Sequence, residues 1–144
     1  MRITSIKKRL KIYQITSILS ILLTLVGFSY NVYRLEQTEI NSNIRTSSFE
    51  MLKELANLEQ IVYASHYEKD DKIGNPRIGW VKVGIIQDLS IISFKEKNKA
   101  VENLLKIWEK NWSLMKNDRQ ATNRIIKSID EIRKEIRIVL KNLN

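Results

Sequence analysis

The sequence predicts an all-α protein in which a single N-terminal transmembrane helix precedes an antiparallel four-helix bundle with a long first helix. Three observations predict this fold class. Only four glycines and one proline occur among the 144 residues, so helix-breaking residues are scarce. An uncharged, largely apolar segment occupies residues 12–33. Beyond this segment, apolar residues recur at helical spacing along most of the chain.

The segment 12–33 has the length and composition of a membrane span. Its 22 residues extend about 33 Å at about 1.5 Å per residue, which is enough to cross a hydrocarbon core of about 30 Å. Residues 1–11 form a basic tail with five Lys and Arg side chains, whereas two such side chains, Arg34 and Arg45, soon follow the span. The positive-inside rule therefore predicts a cytoplasmic tail and an exported domain over 34–144.

A cleaved signal peptide is the alternative interpretation of the N-terminal segment. Gly27-Phe28-Ser29 offers small residues at a spacing that a signal peptidase accepts. The apolar run is long for a signal peptide, however, and the bulky Tyr30 follows at once. An uncleaved signal-anchor in a bacterial inner (plasma) membrane is therefore expected, and cleavage would remove the tether without changing the exported domain.

The charge of the chain does not indicate nucleic-acid binding, although the net charge is +9 and the pI is about 9.8. Residues 1–34 contain six of the 25 basic residues and none of the 16 acidic residues, so the rest of the chain carries a net charge of +3. Such interspersed charge is typical of a solvated surface. The absence of cysteine excludes a disulfide scaffold and a cysteine-ligated zinc site.

Helical amphipathicity begins after the span. Apolar and small residues form one stripe with heptad spacing: Ile44, Ser48, Met51, Leu55, Leu58 and Val62. No Pro or Gly lies between Tyr33 and Tyr67, so the membrane helix is free to continue into this first helix of the bundle. The polar stretch 36–45 is the weakest part of such a continuous helix.

The middle of the chain contains the clearest loop and one ambiguous segment. Residues 68–79 include the single proline and two glycines, which predicts a loop. Residues 80–94 read either as a helix or as a strand. The strand interpretation rests on the alternation of apolar residues near 81–85 but lacks a partner strand. The helix interpretation is preferred, with a buried stripe of Val81, Ile85, Leu89 and Ile92.

Two further amphipathic helices complete the predicted bundle. The third is expected over about 96–115, with an apolar face of Val101, Leu104, Leu105, Trp108, Trp112 and Met115. The fourth is expected to begin after an N-cap at Asp118. Its stripe is the most regular in the chain: Thr122, Ile125, Ile129, Ile132, Ile136, Val139 and Leu143. Helices of this kind must bury their apolar faces against one another, which predicts the bundle.

One cluster of residue types is suited to metal binding. The candidates are His66, Glu68, Asp70 and Asp71, because imidazole and carboxylate groups are suitable ligands. The signal is weak, since His66 is the single histidine in the chain. A helix terminus followed by a solvated acidic loop is the preferred interpretation. No catalytic residues, metal or cofactor are therefore predicted.

The loop that contains Pro76 is the favoured place for partner binding. Asn75, Arg77 and Trp80 combine a turn residue, a guanidinium group and an aromatic ring at one end of the predicted bundle. The alternative is a tight connection in which Trp80 packs against the end of the bundle. The tight connection is the preferred interpretation, and partner binding by Asn75, Arg77 and Trp80 is a hypothesis.

These features predict a membrane-anchored, non-enzymatic interaction protein. It is expected to act as an accessory or scaffold subunit that docks on another envelope protein or forms a homo-oligomer. The alternative is a sensory or ligand-binding helical module that transmits a signal through its membrane helix. The lipid bilayer is an expected partner in both cases, and this layout by itself does not determine the function.

Overall fold

A computed structural model of the chain describes residues 2–94 and 96–143, with side chains described from Ile6 onward. The described residues form four α-helices and contain no strand, which confirms an all-α protein with a long apolar N-terminal helix. The elements, in chain order, are α1 (Arg2–Tyr63), one π-helical turn (Ala64–Glu68), α2 (Pro76–Phe94), α3 (Lys99–Asn111) and α4 (Arg119–Asn142). The segment 80–94 is thus a helix.

The chain divides into two compact units, Met1–Ile40 and Asn41–Asn144. In the first unit the large apolar side chains from Ile6 to Leu35 are exposed. Within the described residues, α1 is the one helix long and apolar enough to cross a membrane, a property shared by membrane spans and signal sequences. The Thr24 hydroxyl donates to the Ser20 carbonyl oxygen at 2.8 Å. Such a bond satisfies a polar group in an apolar environment.

The hydrophobic core lies in the second unit and receives side chains from all four helices. The heptad stripe predicted for α1 is confirmed, since each of its members is buried: Ile44, Ser48, Met51, Leu55, Leu58 and Val62. The polar stretch 36–45 is part of α1.

The prediction that Val81, Ile85, Leu89 and Ile92 form the buried face of α2 is wrong. Val81 and Ile92 are 59% and 50% exposed, and Ile85 and Leu89 are only partly buried. The buried residues are instead Gly79, Val83, Ile86, Ser90 and Ser93. Three of these five side chains are small, so the inner face is the one that allows close packing.

The packing of α2 depends on the contact between Gly79 and Trp108 of α3. The Trp108 ring is fully buried, at 0% exposure, and lies directly against the backbone of Gly79. A Cβ atom added at Gly79 would overlap the six-membered part of that ring. Glycine at this position therefore sets how closely α2 approaches the core.

Helix α3 is shorter than the predicted segment 96–115. It begins after an N-cap at Asn98, whose side chain accepts hydrogen bonds from Ala100 N and Val101 N, and it ends at Asn111. Trp112, which was expected on the buried face, follows the helix end and is 36% exposed. Residues 112–117 form turns, so the helical face does not continue through them.

The prediction for α4 is confirmed at its start and along most of its length. The Asp118 side chain caps the helix by accepting a hydrogen bond from Gln120 N at 2.7 Å. Five members of the predicted stripe are fully buried: Thr122, Ile125, Ile129, Ile132 and Ile136. Val139 and Leu143, near the helix end, are only partly buried.

Replacement of Gly79 by alanine tests the close packing of α2. The added methyl group must displace a buried indole ring, so Gly79→Ala is expected to lower the unfolding free energy by about 1–3 kcal/mol. The matched control is Gly84→Ala in the same helix, where an added Cβ meets no atom within 4 Å. The control is expected to be neutral or stabilising by up to about 1 kcal/mol.

The measurement is thermal unfolding of the full-length protein in dissociating detergent, followed by circular dichroism. Equal melting temperatures for Gly79→Ala and Gly84→Ala would contradict the packing of Trp108 against Gly79.

Candidate functional site

The end of α1 and the following loop build the region in which the sequence placed its candidate residues. The π-helical turn is closed by Lys69, which adopts a left-handed conformation with φ of 54°. Lys69 N and Asp70 N both donate to the Ala64 carbonyl oxygen, the latter at 3.0 Å, so this carbonyl group at the helix end is satisfied. A Cβ at Gly74 would lie 2.5 Å from Ser65 N, so the returning loop packs backbone against backbone.

This turn is attached to the connection between α3 and α4. The His66 side chain donates from Nδ1 to the Met115 carbonyl oxygen at 2.8 Å, and the Thr122 hydroxyl donates to the same oxygen at 2.9 Å. The Lys69 ammonium group donates to the Lys116 carbonyl oxygen. The Lys116 side chain pairs in turn with Asp71 at 2.5 Å. We call this set of contacts the end clamp, because it joins the two connections at one end of the unit.

The four metal-ligand candidates lie within this clamp or beside it. The Asp70 carboxylate accepts hydrogen bonds from Lys72 N at 2.7 Å and Ile73 N at 3.0 Å, which stabilises the turn. Asp71 and Glu68 are exposed. Among the described residues, no group of three or more His, Cys, Asp or Glu side chains is arranged to hold a metal ion. The contacts seen here are those of a helix terminus.

The predicted loop 68–79 is too long, because α2 already begins at Pro76. The Asn75 side chain accepts a hydrogen bond from Arg77 N at 3.0 Å, as an N-cap does. Proline is favourable at the first helical position, where the missing N–H would have no partner within the helix. Asn75-Pro76 is therefore a helix start, and Arg77 and Trp80 are helical.

The structure thus brings the three partner-binding candidates together on the cap and first turns of α2. Arg77 is exposed, and Trp80 is 36% exposed. The Trp80 and Trp108 rings meet in a T-shaped contact, with the ring centroids 6.4 Å apart and the planes at 83°. Trp80 therefore both covers the end of the core and presents part of its ring to the surface.

Sequence reasoning missed a larger apolar surface on the same helix. We call it the outer face of α2, and it comprises Arg77, Ile78, Val81, Gly84, Ile85, Asp88, Ile91 and Ile92. Four of its isoleucine and valine residues are between 44% and 71% exposed: Ile78, Val81, Ile91 and Ile92. The missed signal was the row of small residues, Gly79, Ser90 and Ser93, at helical spacing.

Charges on the outer face of α2 are sparse. Arg77 lies near the beginning of the helix and Asp88 lies three turns later. Neither side chain has an ion-pair partner among the residues that the structure describes. Exposed apolar residues that form a contiguous patch often mark an interaction surface.

Among the described residues, the shortest ion pair outside the end clamp joins α1 to α4. Arg133 Nη2 lies 2.6 Å from Glu59 Oε2, and both side chains are about one-fifth exposed (19% and 22%). The hydrogen bond from Arg133, more than the opposing desolvation, lowers the pKa of Glu59 below its ordinary value of 4.5. The same pairing raises the pKa of Arg133. The pair therefore stabilises the fold in its charged form.

No protein-family model, curated protein or solved structure matches the chain.

The Glu59–Arg133 pair predicts a pH-dependent contribution to stability. Because folding lowers the pKa of Glu59, its contribution is present above about pH 4.5 and is lost as the pH falls through the lowered value. Glu59→Gln is expected to cost about 1–2 kcal/mol at pH 7. That difference from the native chain is expected to shrink as the pH falls below 4.5.

The measurement is the melting temperature of the full chain in detergent between pH 7 and pH 3. Glu109→Gln, which alters an exposed carboxylate on α3, is the matched control and is expected to leave the profile unchanged. A Glu59→Gln protein that melts like the native protein at pH 7 would contradict the stabilising role of the pair.

Proposed function

We propose that the chain is a membrane-anchored, non-enzymatic interaction protein that serves as an accessory or scaffold subunit in a bacterial envelope. Residues 12–33 form the transmembrane anchor, and 34–144 form a helical bundle on the far side of the membrane from the tail. The apolar exposed surface of the first unit supports the anchor. The excess of basic residues in the tail supports a cytoplasmic N-terminus.

Contacts between the helices support an antiparallel four-helix arrangement of the exported domain. Between α1 and α2, the Ser47 and Ser93 hydroxyls lie 2.9 Å apart and Glu54 pairs with Lys82 at 2.8 Å. Residue numbers therefore rise along α1 as they fall along α2.

The same opposite order relates the other neighbours. Glu59 of α1 pairs with Arg133, whereas His66, further along the chain, contacts Met115, which precedes α4. Between α3 and α4, the Arg124 guanidinium donates to Asn111 Oδ1 at 2.9 Å. These contacts support a bundle in which each helix runs opposite to its chain neighbour.

The outer face of α2 is the observation that carries the interaction function. Helices at a protein surface normally present polar residues to water, whereas a helix that is apolar around most of its circumference is normally buried. Ile91 is 71% exposed and Val81 is 59% exposed in this chain. If a protein partner covered these side chains completely, each would contribute up to about 1.5–3 kcal/mol to the free energy of binding.

Introducing a charge on this face tests the proposal. Ile92→Glu is expected to abolish co-purification of the partner from detergent-solubilised native membranes, because the carboxylate would be desolvated at the interface. The fold is expected to persist, since Ile92 is 50% exposed. The matched control is Ile138→Glu on α4, at a residue that is 54% exposed.

Undiminished partner recovery with Ile92→Glu would contradict docking through the outer face of α2. Loss of the partner with both Ile92→Glu and Ile138→Glu would show a non-specific effect of added charge and would contradict it as well.

The topology is tested by single cysteines, which the natural chain lacks. A membrane-impermeant maleimide added to intact spheroplasts is expected to label Ser113→Cys and to spare Ser5→Cys. Labelling of Ser5→Cys alone would show that the N-terminus lies outside and would contradict the proposed orientation. Mass spectrometry of the mature chain tests the anchor. A mass that lacks the N-terminal segment would show that this segment is a cleaved signal peptide and not an anchor.

A further inference from the structure

We propose that the partner covering the outer face of α2 is an amphipathic helix of a different protein, with a lysine or arginine at the position that meets Asp88. The inference rests on the proposed function, because it specifies the partner that this function requires. Two features of α2 carry it, the spacing of the exposed side chains and the position of Asp88 among them.

The exposed side chains of α2 follow the spacing of a coiled-coil seam. Five residues of the outer face recur at alternating intervals of three and four residues, and we call them the outer seam: Ile78, Val81, Ile85, Asp88 and Ile92. A strict seam of this kind packs against one other helix, whereas a helix on a globular core buries a wider stripe. Ile78, Val81 and Ile92 are 44%, 59% and 50% exposed, so the seam is open in the folded chain.

A second seam on α2 already has its partner. The buried residues of α2 are separated by four, three, four and three residues: Gly79, Val83, Ile86, Ser90 and Ser93. Helix α2 therefore carries two seams with heptad spacing, and a helix of this kind packs between two neighbours. One neighbour is the rest of the chain's own second unit. The outer seam extends about 21 Å, which is the length of a second helix of about 15 residues.

Asp88 excludes a second copy of the chain in the parallel orientation. Two copies held with the same orientation in one membrane have parallel α2 helices, and a two-fold axis then brings each seam residue against its own counterpart. The Asp88 carboxylates of the two copies would meet inside the contact. Asp88 has no ion-pair partner among the described residues that would offset this repulsion. Like charges placed opposite each other suppress such a pairing.

The anchor excludes a second copy in the antiparallel orientation. Residue numbers rise along α1 as they fall along α2, so the two helices run in opposite directions. An antiparallel pair of α2 helices therefore makes the two α1 helices antiparallel as well. Because the proposed anchor belongs to α1, the two anchors would leave such a pair in opposite directions and could not lie in one membrane. The partner is therefore a different chain.

The charges of the outer face specify the partner's side chains. A cationic side chain opposite Asp88 turns the position that repels a second copy into an attractive pair. Arg77 is exposed beside the beginning of the seam, so an acidic residue near it favours the same helix. Lys82, on the other side of the seam, is already paired with Glu54 at 2.8 Å. An added Cβ at Gly84 would meet no atom within 4 Å, so the partner helix has room for a close approach.

Disulfide cross-linking between copies tests the role of Asp88. Val81→Cys places one thiol in the outer seam of a chain that naturally lacks cysteine. In a parallel pair, position 81 meets its counterpart, and a disulfide requires Cα atoms within about 7 Å. The full-length chain is overexpressed so that it exceeds its native partner, and the membranes are oxidised with copper phenanthroline. Val81→Cys alone is expected to give little dimer, and adding Asp88→Ile is expected to raise the yield about tenfold or more.

A mixture of opposite charges tests the proposed complement. Two differently tagged chains that both carry Val81→Cys are co-expressed, one with Asp88 and the other with Asp88→Lys. They are expected to cross-link to each other as efficiently as Asp88→Ile does to itself, and each is expected to give little dimer with its own kind. The matched control is Glu109→Ile, which adds an isoleucine at an exposed position of α3 and is expected to leave the Val81→Cys yield unchanged.

Two results of these cross-linking experiments would overturn the proposal. Efficient cross-linking of Val81→Cys in the presence of native Asp88 would show that the chain pairs with itself. An unchanged yield with both Asp88→Ile and the mixed pair would show that the outer seam does not accept a second helix. Circular dichroism of each variant checks that the fold persists, as expected for substitutions at exposed residues.

Failure of this inference is distinguishable from failure of the proposed function. Asp88→Lys is expected to abolish co-purification of the partner from native membranes, as Ile92→Glu does. Undiminished recovery with Asp88→Lys, beside loss with Ile92→Glu, would overturn the charged complement and leave the interaction function standing. Undiminished recovery with both variants would overturn both.

Discussion

The close approach of α2 to the core at Gly79 determines which face of that helix is left outside. The Trp108 ring is completely buried against the glycine backbone. Ser93 continues the same small inner face and contacts Ser47 of α1 through its hydroxyl at 2.9 Å. Because these small residues face inward together with Val83 and Ile86, the side chains of Val81, Ile91 and Ile92 on the opposite side of α2 face outward. The exposed apolar surface is thus a consequence of how the core is packed.

The rest of the second unit holds α2 in this position from both sides. At one end, the clamp from His66 to Met115 fixes the turn from which the loop to α2 departs. Within the second unit, Glu54 pairs with Lys82 of α2 at 2.8 Å, and Glu59 pairs with Arg133 of α4 at 2.6 Å. A helix held in this way presents its outer side chains in a fixed register, which a specific interface requires.

The buried face could be predicted from the sequence for α4, which has one apolar face. It could not be predicted for α2, which has apolar residues on two faces. In α4 the isoleucine stripe from Ile125 to Ile136 lies on the opposite side of the helix from many charged residues, so the buried side of the helix was evident. In α2 the apolar residues surround the helix, and small residues decided the packing instead. Proline was taken as part of a loop, although Asn75 caps a helix that begins at Pro76. The clamp joins residues 49 positions apart, a distance at which local patterns carry no signal.

The central claim is that the outer face of α2 is covered by protein in the native membrane. The most direct test is the rate at which a water-soluble maleimide modifies Val81→Cys in opened native membranes and after dilution into dissociating detergent. The account predicts slow modification in the membrane and fast modification after dissociation, with Ser113→Cys fast in both. Equally fast modification of Val81→Cys in both conditions would show an uncovered face and contradict the account.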